Sequence, residues 1–103
     1  YTVLVTPFTE DGARVDADAL RRLVDFQIEQ GIHGLIPLGS TGEFLSLTRD
    51  ERTQVAKIVI EQAAGRVPVL IGTGAEWTPD AVEYSREAER LGADGVMIIP
   101  PFY

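Results

Sequence analysis

Strictly alternating strand and helix signals predict a parallel α/β fold, and their spacing predicts the (β/α)₈ barrel within that class. Three observations carry the prediction. Four short aliphatic runs, Thr2–Thr6, Leu35–Leu38, Val67–Ile71 and Gly95–Ile99, are nearly continuous in apolar residues, as expected of parallel strands covered on both faces. Three amphipathic helical patterns separate them, giving β-α-β-α-β-α-β. The strands recur at roughly thirty-residue intervals, the unit length of a barrel whose eight units fill about 250 residues. On this reading residues 1–103 are the N-terminal part of a single barrel domain, roughly its first half.

Each element has its own justification. After the run Thr2–Thr6, a helix begins near Asp16, carries Leu20, Leu23, Val24 and Ile28 at helical spacing and stops at Gly31. Leu35–Leu38 follows as the second strand. Thr48-Arg49-Asp50-Glu51 then forms a capping box, in which the first and last residues satisfy each other's backbone N–H groups. That helix runs through Val55, Ile58, Val59 and Ile60 to Gly65. After Val67–Ile71, the third helix has Thr78 as its N-cap, Pro79 at the first helical position and Gly92 at its end. Trp77, just ahead of that cap, takes a hydrophobic-staple position or an interface. Gly31-Ile32-His33-Gly34 and Gly92-Ala93-Asp94-Gly95 form matching helix-to-strand corners two units apart. A doubly wound sheet competes, but its Gly-x-Gly-x-x-Gly turn is absent.

Composition excludes several functions. With no cysteine there is no disulfide framework or thiolate metal site, and one histidine, His33, makes no imidazole cluster. A formal net charge of -7 argues against nucleic acid and anionic membranes. No apolar run approaches a membrane span and no leader pattern opens the chain. The profile is that of a soluble, cytoplasmic, acidic α/β chain. Half a barrel leaves open strand edges, so the sequence reads as a piece of something longer or as one of two associating copies.

In such a barrel the loops after the strands form the active site. They bring together Thr6-Pro7-Phe8, Gly39–Glu43, Gly72-Thr73-Gly74-Ala75 and Pro100–Tyr103. Two of these are glycine-hydroxyl loops, whose convergence predicts an oxyanion or carboxylate pocket. Ser40 and Thr41 supply hydroxyls there, and the Gly42 region supplies backbone N–H groups. The same residues also serve as an ordinary turn before a helix. The Tyr103 phenol relays a proton or packs as an aromatic, and Glu43 is a base or a carboxylate at the start of the second helix. Lys57, the single lysine, shares a stripe with Gln54 and Glu61 and reads as a surface residue paired to Glu61. His33 lies on the opposite face from the predicted site. Arg49 and Arg52 read as exposed first-turn residues.

Gly39-Ser40-Thr41-Gly42-Glu43, Leu47-Thr48-x-x-Glu51, Pro68-Val69-x-Ile71-x-Gly72-Thr73-Gly74 and Pro101-Phe102-Tyr103, in this order and spacing, resemble the dihydrodipicolinate synthase/N-acetylneuraminate lyase family. The resemblance implies a class I aldolase or dehydratase on a (β/α)₈ barrel. A lysine on the sixth strand forms a Schiff base with a 2-oxo acid, with no metal or organic cofactor. It implies Ser40 as a hydroxyl in a proton relay, Thr41 as the carboxylate holder and Tyr103 as a relay tyrosine inserted from a neighbouring subunit. It further implies a homo-oligomer, usually a dimer of dimers. The resemblance places the Schiff-base lysine outside these 103 residues. Ser40 stands where the synthases commonly have threonine, Phe102 where lysine-regulated synthases often have a second tyrosine. Glu76, Arg49 and Arg52 also depart from the lysine-binding pattern, so the resemblance does not carry lysine regulation. Two further readings stand beside it: a non-catalytic half-barrel binding or assembly module, and a phosphate-binding barrel using the Gly39–Glu43 loop.

Overall fold

The computed structural model describes residues 1–100. Four strands alternate with three helices: β1 (Thr2–Val3), α1 (Ala17–Glu29), β2 (Leu35–Ile36), α2 (Arg49–Ala63), β3 (Leu70–Gly72), α3 (Thr78–Leu91) and β4 (Gly95–Met97). A 3-10 turn over Phe44–Ser46, which the sequence reading lacks, precedes α2. β1 pairs in parallel with β2 and β3 with β4, and a parallel bridge between Leu35 and Val69 joins the pairs. The strands therefore lie side by side in chain order, as the opening staves of a barrel do. Each strand is shorter than its apolar run.

The helix signals translate directly. Asp16 caps α1 through its carboxylate, which accepts from the Ala19 N–H at 3.0 Å. The Thr48–Glu51 capping box is complete in both directions. Gly92 ends α3 at φ +95. The two repeated corners are built alike: the Ile32 N–H donates to Gln27 O and the Ala93 N–H to Ala88 O, five residues back in each case. That is the Schellman closure, which needs a left-handed residue and finds Gly31 and Gly92. The start of α3 differs from expectation: Trp77 is the N-cap residue, Thr78 is already helical, and no side chain caps the end. Pro79 in the first turn supplies the stop signal instead.

The core lies between the sheet and its helices. Leu4, Leu20, Val24, Leu35, Val55 and Val59 are all at most 2% exposed. Burial of each such side chain contributes about 1.5–3 kcal/mol. The opposite face of the sheet is open, as expected of part of a barrel whose apolar strands are covered on the helix side alone. Leu4 and Thr6, just beyond β1, are buried, while Val3 and Val5, which alternate with them, are exposed. The strand period of two explains this alternation, and only the helix-side face has a covering layer in these residues. At the far edge, α3 buries only Ala88 fully, whereas α2 buries six residues between its neighbours.

Candidate active site

β2 leads through Pro37 into Leu38, which is buried yet adopts φ +63, a left-handed conformation unfavourable for a side chain of its kind. The chain then turns over Gly39–Gly42, closed by the Gly42 N–H donating to Gly39 O at 3.0 Å. The Glu43 N–H donates to Ser40 O, also at 3.0 Å. These bonds decide which donors remain. The Gly42 N–H is engaged inside the turn, which corrects the expectation that it faces a ligand. Ser40 and Thr41 at the centre are exposed, and neither backbone N–H has a partner among the described residues. Two hydroxyls and two adjacent N–H groups thus stay free of partners among the described residues on the exposed part of a closed turn, a donor set suited to one carboxylate.

Gly42 has a steric role. A Cβ there would stand 3.0 Å from Leu4 O and 3.2 Å from Leu38 N. This close approach allows the Thr6 hydroxyl, buried beyond β1, to donate to Gly42 O at 2.7 Å. Thr6 lies in one of the four predicted loops, but its part as the anchor of the turn is legible only from the fold.

The second glycine-hydroxyl loop does not join the first as expected. Thr73 is fully buried and shares a hydrogen bond with the Ser85 hydroxyl of α3 at 2.8 Å. Strand alternation is the reason: Ile71 and Thr73 share the helix side, and Gly72 between them takes the other. Gly72 instead meets the β2 loop by backbone. Its N–H donates to Pro37 O at 2.9 Å, and a Cβ on it would lie 2.1 Å from Leu38 O.

Arg52 overturns its expected exposure. It is only 6% exposed, and its Nη2 donates to Gly74 O at 3.2 Å and Gly72 O at 3.4 Å. The guanidinium lies 3.6 Å from the Tyr84 ring centroid and 5.4 Å from that of Phe44. Burial lowers its affinity for the proton, an effect opposed by the Tyr84 hydroxyl. The signal was present in the sequence: Arg52 stands three, four and seven residues before Val55, Ala56 and Val59, on the buried stripe. Arg49 remains exposed, as expected, and pairs with Asp80 at 3.3 Å. An open groove of about 470 Å³ runs past Arg52, Tyr84, Asp80, Leu47 and the exposed Trp77.

Glu43 is exposed and left-handed at φ +59, at the N-cap position of the 3-10 turn with no side-chain capping bond, rather than at the start of α2. Lys57 is exposed on α2, but no ion pair with Glu61 forms among the described residues. His33 is exposed in the corner before β2, at the end of the sheet away from the turn. Tyr103 and its expected relay role lie outside the described residues. No group of three or more metal-ligating side chains occurs among the described residues, and no helix there is long and apolar enough to cross a membrane.

The sequence profile of the dihydrodipicolinate synthetase family matches residues 1–103. A curated 4-hydroxy-tetrahydrodipicolinate synthase from Pelobacter propionicus is 55% identical over 97% of this chain and 34% of its own length. Among solved structures, the 4-hydroxy-tetrahydrodipicolinate synthase of Methylacidiphilum fumariolicum SolV superposes with a TM-score of 0.95 and 37% identity. That match covers 100% of this chain and 34% of the other. The dihydrodipicolinate synthase of Acinetobacter baumannii, solved in complex with pyruvate, has a TM-score of 0.94 and 42% identity over 98% of this chain and 35% of its own. The chain therefore spans about a third of the length of these relatives.

Proposed function

This chain belongs to the dihydrodipicolinate synthetase family, and we propose that it forms the opening four strands of a class I, Schiff-base-forming 2-oxo acid lyase or synthase. The substrate class is pyruvate with an aldehyde, or a 2-keto-3-deoxy sugar acid. The observation that carries the reading is the closed Gly39–Gly42 turn, with the N–H groups of exposed Ser40 and Thr41 unpartnered among the described residues. The complex of the Acinetobacter baumannii relative with pyruvate supports the substrate class.

In this proposal the Thr41 hydroxyl and the adjacent N–H groups hold the 2-oxo acid carboxylate. Gly42 keeps the turn close to β1, and Ser40 passes a proton along a relay that includes Tyr103. An amine outside these 103 residues attacks the 2-oxo carbon and loses water to give an iminium. The iminium accepts the electron pair released when the neighbouring carbon loses a proton or a bond. Lys57 does not supply that amine, since it stands exposed on the helix layer with nothing to desolvate it. The rest of the barrel covers the open inner face, and a neighbouring subunit in a dimer of dimers supplies the relay tyrosine.

Borohydride reduction of the full-length protein in the presence of pyruvate tests the reading. A stable covalent adduct on one lysine is expected, and Thr41→Val is expected to raise the pyruvate concentration required by about tenfold, the worth of one hydrogen bond to a charged group. Absence of any adduct would overturn the mechanism.

A further inference from the structure

We propose that Arg52 is a positioning residue for the Ser40–Thr41 turn, holding it at both ends from the helix layer. Upstream, Arg52 donates to the carbonyls of Gly72 and Gly74 at 3.4 and 3.2 Å. Gly72 in turn is hydrogen-bonded to Pro37 and packed directly against the Leu38 carbonyl. Downstream, the guanidinium lies 5.4 Å from the ring centroid of buried Phe44, the residue that follows Glu43. One buried cation thus touches the supports of both flanks.

Those flanks need support. Leu38 and Glu43, the residues that bracket the turn, both have positive φ, at +63 and +59. Non-glycine residues stay in that region only where their surroundings over-determine them. The planar fork of Arg52 is itself set by stacking on Tyr84 at 3.6 Å. A plain packing role does not account for the choice of residue. Nε of Arg52 is buried with no partner among the described residues, so an apolar side chain would be less costly here. What an apolar side chain lacks is the pair of donors to two loop carbonyls.

The inference rests on the reading of the turn as the carboxylate holder, and its test separates the two. In the full-length protein, Arg52→Lys keeps a buried cation and loses the fork. Amide hydrogen exchange at Gly42 and Glu43, whose N–H groups close the turn, is expected to quicken roughly tenfold, with α1 amides unchanged and the KM for pyruvate raised severalfold. Tyr84→Leu, which removes the ring but none of the donors, is expected to quicken the same amides by a smaller factor. It also decides the matter if Arg52→Lys fails to fold. Unchanged exchange at residues 38–43, or an equal rise in every helix, would overturn the positioning role. If wild-type protein forms no pyruvate adduct, the carboxylate reading fails, while the exchange pattern still decides what Arg52 holds.

Discussion

Gly72 shows how much one missing atom carries. Its backbone lies outside the left-handed region, so no conformational demand selects glycine; the demand comes from the Leu38 carbonyl, 2.1 Å from where a Cβ would stand. The obstacle is backbone, which cannot rotate aside as a flexible side chain would. Gly72→Ala is therefore expected to lower stability by about 3 kcal/mol or more, measured by urea unfolding. A loss under about 1 kcal/mol would show that the β2 loop gives way easily. At this scale residue types were legible and directions were not. The hydroxyls of Ser40 and Thr73 look equivalent within their motifs, yet strand alternation turns Thr73 toward Ser85. Arg52 sits on the apolar stripe of α2, and its charge alone suggested exposure.

Elements were more legible, because caps and stop signals act within a few residues. The Thr48–Glu51 box, the Asp16 cap and the glycines at the corners all perform the local job their types suggest. The contacts between elements are a different matter. Asp25 of α1 accepts from the Gln62 amide at 2.8 Å and from the Arg66 guanidinium at 2.7 Å, tying α1 to the end of α2. The Gln62 hydrogen bond first, and Arg66 second, hold its carboxyl below the ordinary value of 3.8. A depressed folded-state value means the stabilisation is present above 3.8 and disappears as pH falls through the lower folded value. Melting temperatures of wild type and Asp25→Asn should accordingly differ at neutral pH and converge under acid. A gap that persists unchanged to about pH 2 would assign the effect to packing rather than to charge.

The whole molecule is a layer with one finished side. Helices α1 and α2 cover the sheet, while Val3 and Val5 face out from its other surface, and Val82, Val96 and Ile98 stay exposed at the α3–β4 edge. A groove of about 610 Å³ runs along that edge, bordered by Ala81, Val82, Ser85, Val96 and Ile98. The outer edge of β4, unpaired among the described residues, beside an apolar groove is a template for association. The isolated 103-residue chain is expected to self-associate in sedimentation experiments and to enhance the fluorescence of a hydrophobic dye. On the proposed reading, a full-length barrel should do neither through this edge. A dye-silent monomer of the isolated chain would mean that these side chains find cover within the chain itself.

By itself the sequence determined the order of elements, the parallel class, the helix ends and the family, since these depend on short-range periodicity, caps and motif spacing. Only the tertiary structure decided which donors of the Gly39–Glu43 loop remain available, that Thr73 serves the helix layer and that Arg52 is buried behind the turn. The donors are settled by bonds three residues apart inside a turn that the distant Thr6–Gly42 contact holds in place, while the other two outcomes depend on contacts twelve to twenty-two positions apart and on the facing of alternate strand positions. Such contacts have no local signature, because the partner that engages a donor is set by packing and not by the donor's neighbours.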